Sequence, residues 1–300
     1  MRIYADLLAD SRIVCIFVSK MHQIMNECYG KKFILNGELN PCDNFDNSLV
    51  YEGDSIYEVI RMIKGSPVFF HDHMERLELS MKIRQKAPIT KISDLRKDII
   101  NLVKTEKRKD INLKIVFNYN QVSANYLVYF VEPIYPSEEQ YRKGVRGILF
   151  YAERKDPESK VINHKLRSSI YHKLILESGY EALLVNEEDK ITEGSRSNIF
   201  FVKGDTLTTA PDDKVLNGIT RKYILDICHD NNIKVNFMCV PVGSIRDYDA
   251  VFMTGTSPMV LQFYCIGDIC FSVRKELIEN LRKLYIEKAE ESIKRFMADK

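Results

Sequence analysis

The sequence predicts an α+β chain folded as two domains, and three observations carry that prediction. Its 300 residues are 45% hydrophobic, enough apolar side chain to bury one large core or two moderate ones. Strand-like runs and stretches with helical spacing occur in both halves. A polar, proline-punctuated stretch from Glu132 and Pro133 to Glu139 falls between the halves as a linker. The expected layout is a leader at 1–31, a small domain at 32–132, a linker at 133–143 and a large domain at 144–300.

Charge and thiol content narrow the function classes. Forty-four basic residues against 42 acidic ones give a formal charge of +2, which argues against nucleic acid or a membrane surface as partner. The seven cysteines, at 15, 28, 42, 228, 239, 265 and 270, are odd in number and lack C-x-x-C spacing. Reduced thiols in a cytoplasmic protein are expected, rather than a disulfide framework or a zinc site. No apolar run approaches the roughly 18–20 residues of a membrane span. Ile13 to Val18 is a short apolar patch, but Asp6, Asp10 and Lys20 flank it without a clean cleavage site, which speaks against a signal peptide. Met21 and Met25 offer later starts, and the leader is assigned no role.

In the first domain, Lys32 to Asn36 and then Gly37 read as strand and turn. The run from Tyr51 to Ile63 turns alternating and β-branched in its second half. As a strand it puts Tyr57, Val59 and Arg61 on one face and Ile56, Glu58 and Ile60 on the other. Gly65-Ser66 turns it into a hairpin partner at Pro67 to Phe70. A helix follows from His71, with Asp72 as N-cap and Leu77 and Met81 on one stripe. His71 and His73 suit a metal poorly, because ligands on one helix face need i, i+3 or i+4 spacing. Leu95 to Lys104 reads as an amphipathic helix. Asn112–Phe117 and Tyr126–Phe130 read as a strand pair, with Asn118 to Asn125 between them.

The second domain opens on a strand, Gly144 to Tyr151. Leu166 to Ser178 is helical, and Lys155, Lys160, Lys165 and Lys173 lie around it. Glu181–Asn186, a turn at 187–190 and Ile191–Glu193 form a β-turn-β unit, followed by the apolar strand Ile199–Val202. At Leu216 to Arg221 a helix begins that runs to about His229. Gly218 there permits close backbone approach, and Ile219 and Thr220 present N–H groups at the positive helix end. A strand at Ala250–Met253 enters the hydroxyl-rich turn Thr254–Pro258, and Lys275–Met297 is a long helix with a periodic packing face. An amine ahead of a helix, a carboxylate suited to burial and an anion-binding helix start are what pyridoxal phosphate requires: a Schiff-base partner, a partner for the pyridine nitrogen and a phosphate cradle.

Four motifs stand in order: Lys160-Val161-Ile162-Asn163, Thr192-Glu193-Gly194, Ser197-Asn198-Ile199-Phe200 and Gly218-Ile219-Thr220-Arg221, with 33 residues (193 − 160) from Lys160 to Glu193. In order and spacing they resemble the class IV (fold type IV) pyridoxal-phosphate aminotransferases. That family holds branched-chain and D-amino acid aminotransferases and aminodeoxychorismate lyase, and the likeness covers about residues 32 to 290. The resemblance implies a small N-terminal α/β sandwich and a larger pseudobarrel-like C-terminal domain, with pyridoxal 5′-phosphate in the cleft and two copies in a homodimer. Motif register selects Lys160 over Lys165 as the Schiff-base lysine. Glu193 is implied on the pyridine nitrogen, and Tyr57 near the ring as the third catalytic residue. His73-x-x-Arg76-Leu77 matches the pattern that puts an arginine on the cofactor phosphate, shared with Gly218, Ile219, Thr220, Gly255 and Thr256. Asn198 is expected as a supporting hydrogen-bonder of the cofactor site. For substrate, the Thr256-Ser257 turn would take the α-carboxylate beside Tyr57, with Arg61 helping from behind or meeting a second carboxylate. No metal is expected.

The implied activity is transamination between a branched-chain or other small L-amino acid and a 2-oxo acid such as 2-oxoglutarate. Aminodeoxychorismate lyase is the alternative, although Ile56-Tyr57-Glu58 and Thr254-Gly255-Thr256 look more like the transaminases. D-amino acid transamination is a second alternative, weakened because the 118–125 hairpin has neither the arginine nor the histidine such enzymes carry there. A non-catalytic binding protein on the same fold has no physical need to keep lysine, glutamate and arginine together.

Overall fold

The computed structural model describes residues 27–271 and 276–299; Cys15, the Ile13–Val18 patch and most of the 1–31 leader lie outside the described residues. The fold is α+β, as expected, and is built on two sheets. The first sheet holds β1 (Lys32–Leu35), β2 (Glu38–Pro41), β3 (Asp54–Ile63), β4 (Ser66–Pro67), β5 (Ile111–Tyr119) and β6 (Ala124–Val131) in the order β2-β1-β6-β5-β3-β4. The second runs β12-β11-β10-β14-β15-β7-β8-β9-β13. Its members are β7 (Val145–Tyr151), β8 (Glu181–Val185), β9 (Lys190–Gly194), β10 (Asn198–Lys203), β11 (Thr206–Thr209), β12 (Val235–Phe237), β13 (Val240–Pro241), β14 (Ala250–Gly255) and β15 (Met259–Ile266), with β16 (Ile269–Cys270) paired to β15. The helices are α1 (Ser48–Tyr51), α2 (Phe70–Ile83), α3 (Ile92–Glu106), α4 (Glu138–Lys143), α5 (His164–Leu176), α6 (Ile219–Asp230) and α7 (Glu276–Ala298).

Strand alternation decides what each face of the first sheet meets. Ile56, Ile60 and Met62 of β3 pack with Met74, Leu77 and Met81 of α2 and with Leu95, Ile99 and Leu102 of α3. Tyr57 lies on the other face with Val116, Leu127 and Tyr129. Directly opposed residues of an antiparallel pair share a face. Because Val59 pairs with Lys114 and Arg61 with Asn112, those four polar and apolar side chains stand beside Tyr57, away from the helices. In the second sheet, residues of β7, β8, β9, β10, β14 and β15 meet in one apolar cluster, so the sheet curls on itself in a barrel-like way. Phe200, Val202 and Phe252 point outward beneath α6 and α7.

Three expectations are corrected. The α2 helix starts earlier than His71: Phe69 is its N-cap at φ 53, and Asp72 instead takes Lys222 and the Tyr223 hydroxyl. Phe69 stacks on Tyr223 while Phe70 enters the first core, so burying both rings sets the helix start and shortens the hairpin partner to Ser66–Pro67. The linker stretch ends in a helix, α4, whose start is fixed by a reciprocal capping box between Ser137 and Gln140. The thiols are not all reduced, since Cys28 is bonded to Cys42 and Cys265 to Cys270. The first pair is brought together by the return of β2 and the second by the β15–β16 hairpin, and neither has C-x-x-C spacing. The compartment argument that rested on free thiols loses that support.

Candidate active site

The first half of β3 is an open edge, and the chain ahead of α5 adds to it. Ile56 bridges to Val161, with Tyr57 N–H donating to the Lys160 carbonyl at 3.0 Å and Ile162 N–H to that of Ser55 at 3.0 Å. Lys160 is thereby held beside Tyr57, its Nζ 4.8 Å from the ring centroid. The asparagine of the same motif has a local task. Asn163 caps α5, its side chain accepting from Leu166 N–H at 3.1 Å. Lys165, the competing lysine, is exposed on that helix.

Lys160 lies where two cavities meet. A narrow one is lined by Arg76, Arg154, Glu193, Asn198, Gly218, Ile219, Thr220, Thr254 and Gly255. A wider one, of about 370 Å³, is lined by Val59, Asn112, Lys114, Val131, Ile134, Met253, Ser257 and Pro258. Tyr57, Lys160, Arg167, Arg196 and Thr256 border both. Burial pushes the Lys160 amine below its ordinary value, and the charges of Arg76 and Arg154 add to this against the pull of Tyr57 and Glu58. Burial would push the Tyr57 phenol up, but Arg167, Lys160, Lys114 and Arg154 outweigh it and bring it down to about 7.

Glu193 is 3% exposed, on β9. Its Oε1 accepts from Arg154 Nη1 at 3.1 Å and its Oε2 from Leu216 N–H at 3.1 Å. Burial raises its carboxyl above the usual range despite those two donors. Sequence reasoning looked to a pyridine nitrogen as the cation a buried carboxylate needs and missed Arg154, which lies in the loop after β7. Arg154 also donates to the Ser159 carbonyl at 2.9 Å, tying Glu193 to the segment that carries Lys160.

The α6 start is shaped by Asn198. Its amide donates to the Leu216 carbonyl at 2.8 Å, and a Cβ at position 218 would collide with its Oδ1, which is why glycine stands there. Thr220 turns its hydroxyl away from the cavity to Tyr285, 3.1 Å off, leaving its N–H in the first turn of the helix. Arg76 reaches the same place from α2, donating to the Asn217 carbonyl at 3.2 Å and pairing with Glu58 through two bonds of 2.8 and 2.7 Å. On the substrate side, Ser257 Oγ accepts from Asn112 at 2.8 Å. Arg61 reaches that turn from behind: it donates to the Ser257 carbonyl at 3.0 Å and stacks over Tyr135 at 4.0 Å. The structure does not bring Arg61 onto the wall of either cavity.

Comparison with known proteins decides the family. The family model described as amino-transferase class IV matches residues 55–264. The chain belongs to the class IV aminotransferases. It is similar to the D-alanine aminotransferase of Bacillus licheniformis, 26% identical over 220 residues that cover 70% of this chain and 77% of that one. To the aminodeoxychorismate lyase of Bacillus subtilis it is 23% identical over 258 residues, 80% of this chain and 87% of that one. The fold matches the T.th. branched-chain amino acid aminotransferase, solved with pyridoxamine 5′-phosphate, at a TM-score of 0.78 and 23% identity over 88% of this chain and 95% of that one. The fold is therefore type IV, and the cofactor of this class IV aminotransferase is pyridoxal 5′-phosphate.

The residues present suit that cofactor. An amine, a buried carboxylate and a helix start face one another across the narrow cavity. The Thr254 hydroxyl on its wall is buried without a hydrogen-bond partner among the described residues, a donor left for a bound group. No helix among the described residues is long and apolar enough to cross a membrane. Besides Arg154, sequence reasoning missed Arg167, whose guanidinium donates to the Tyr57 hydroxyl at 3.2 Å. Its signal was legible: Arg167, Ile170 and Leu174 recur at i, i+3 and i+7 on the inward stripe of α5.

Proposed function

We propose that this class IV aminotransferase moves an amino group between a branched-chain or other small L-amino acid and a 2-oxo acid such as 2-oxoglutarate. The observation that carries the reading is the placement of Lys160 on the border of both cavities, where one amine can face a ring in the narrow one and an amino acid in the wide one. Bound pyridoxal phosphate supplies an electron-withdrawing ring and an aldehyde carbon able to join to an amine. The remaining work falls to the chain. Lys160, its basicity lowered by burial, would take the proton from the substrate Cα and deliver it to the carbon that the cofactor's aldehyde supplies, across the amino nitrogen. Glu193 holds a proton on the ring nitrogen. Arg76 and the Gly218–Thr220 helix start anchor the phosphate together with Gly255 and Thr256. The Thr256-Ser257 turn takes the α-carboxylate, and Tyr57, titrating near neutrality, can hold or release a proton between the two cavities. Val59, Val131, Ile134 and Met253 on the wide cavity support an apolar side chain on the donor. Homodimerisation belongs to the same proposal.

The test is a donor screen with added cofactor and with 2-oxoglutarate and pyruvate as alternative acceptors. Leucine, isoleucine and valine should form glutamate or alanine, and release of pyruvate from 4-amino-4-deoxychorismate with no transamination to either acceptor would overturn the reading in favour of the lyase. A second expectation concerns Arg61. Because it holds the Ser257 carbonyl rather than lining a cavity, Arg61→Met should raise KM for pyruvate and 2-oxoglutarate alike, by roughly ten-fold if one charge-assisted bond is lost. A rise confined to 2-oxoglutarate in steady-state kinetics would place Arg61 on a second carboxylate instead.

A further inference from the structure

We propose that Glu27 is a specificity-determining residue: it stands in for a substrate carboxylate on Lys114 and biases the wide cavity against acids that carry a second carboxylate. The inference rests on the transaminase reading above and deepens it: within that reading 2-oxoglutarate is a weaker acceptor than a monocarboxylic 2-oxo acid. Lys114 is an anomaly of sequence before it is one of structure, a lysine inside Ile111-Asn112-Leu113-Lys114-Ile115-Val116-Phe117. It is 1% exposed, and an ammonium so placed is costly unless a counter-charge and hydrogen bonds compensate it. Glu27 provides both: Lys114 Nζ donates to its two carboxylate oxygens at 2.7 Å each, and the Tyr129 hydroxyl donates to Oε2 at 2.8 Å. Burial would push the Glu27 carboxyl up, but Lys114 overrides it and holds the group below its ordinary value.

Where this pair sits gives it a function. Glu27 and Lys114 both line the wide cavity, and Glu27 comes from the chain ahead of β1, not from either sheet. Its neighbour Cys28 is bonded to Cys42, which tethers the carboxylate at the wall. Lys114 stands two residues from Asn112 on one strand face, roughly 7 Å along, and Asn112 holds Ser257 of the turn assigned to the α-carboxylate. A five-carbon dicarboxylate spans that distance, so its far carboxylate would arrive where Glu27 already is. With the pair intact the Lys114 charge is already compensated, and such an acid must displace Glu27 or face a like charge; Arg167 and Arg196 also line this cavity and keep their charge whether or not the pair is intact. An apolar side chain can lie against Val59, Val131 and Ile134 of the same wall and brings no second carboxylate against Glu27.

The experiment is calorimetric titration of the cofactor-loaded protein with glutarate and with pentanoate, which have equal chain lengths and differ by one carboxylate. Glu27→Gln should tighten glutarate by about ten-fold or more and leave pentanoate unchanged. The double variant Glu27→Gln/Lys114→Met, which removes both charges and so leaves the net charge of the wall as it was, should bind glutarate no better than the native chain. Unchanged glutarate affinity in Glu27→Gln, an equal change for both acids, or a gain that survives in the double variant would each overturn the assignment. If Glu27→Gln does not fold, Glu27→Ala takes its place: a glutarate gain of about ten-fold that added Lys114→Met abolishes supports the charge-cancelling account, and its absence ends it. Because the readout is binding, a donor screen without turnover would sink the transaminase reading and leave this result standing on its own.

Discussion

Lys160→Ala is expected to lose turnover by at least about 10⁴-fold, the upper range of what positioned proton transfer alone contributes, because on the proposal above the same amine would also bond the cofactor. Lys165→Ala, a change on the exposed face of α5, should keep most activity. Borohydride reduction of the loaded protein followed by peptide mapping checks the assignment independently of rate. Label on Lys165, or turnover surviving in Lys160→Ala, would move the chemistry off the bridge between Val161 and Ile56. The backbone supports Lys160 over Lys165: of the two, it is the one in the 160–162 segment stitched to β3.

The largest effect on stability is expected at Glu58. This carboxylate is fully buried between His73 at 2.7 Å and the two bonds from Arg76. Removing one partner of a buried pair leaves an uncompensated charge, so Glu58→Gln should cost about 3–5 kcal/mol, read by chemical denaturation at pH 7. The pH dependence follows. Burial would push the Glu58 carboxyl up, but the charge and hydrogen bonds of Arg76 and the bond from His73 outweigh it and hold it at about 2, against an ordinary 4.5. A depressed carboxyl contributes stability that is complete above its unfolded value and lost as pH falls toward its folded one. The gap between native protein and Glu58→Gln should therefore narrow between about 4.5 and about 2, and a gap constant over that window would show that the carboxylate's charge is not what stabilises the contact.

How far the sequence reaches depends on whether a feature is local. The faces of β3 follow from alternation, and α3 and α7 from their apolar spacing. The motifs at Lys160, Glu193 and Gly218 each carry local geometry: a helix cap at Asn163, a buried strand end, and a glycine under Asn198. Position along the chain could not reveal what tertiary approach creates. Arg154 meets Glu193 across 39 residues, Arg167 meets Tyr57 across 110, and Glu27 meets Lys114 across 87. The same holds for Arg61, whose strand face was read correctly from alternation but whose guanidinium turns to the Ser257 carbonyl and Tyr135. Phe69 was misread for the opposite reason: a bulky residue seldom adopts positive φ, and only the burial of two adjacent rings accounts for it here.

The last helix acts as a strut. Ile278, Leu281, Tyr285 and Ala289 of α7 are embedded in the apolar layer over the second sheet, while Phe296, near its far end, is embedded in the layer over the first. A single stiff rod about 34 Å long thus spans from one half of the molecule to the other. Along the way Tyr285 grips Thr220 at the α6 start, and Ser292 grips the Phe69 backbone. The two halves cannot swing apart about the linker without pulling this rod out of one of its two sockets.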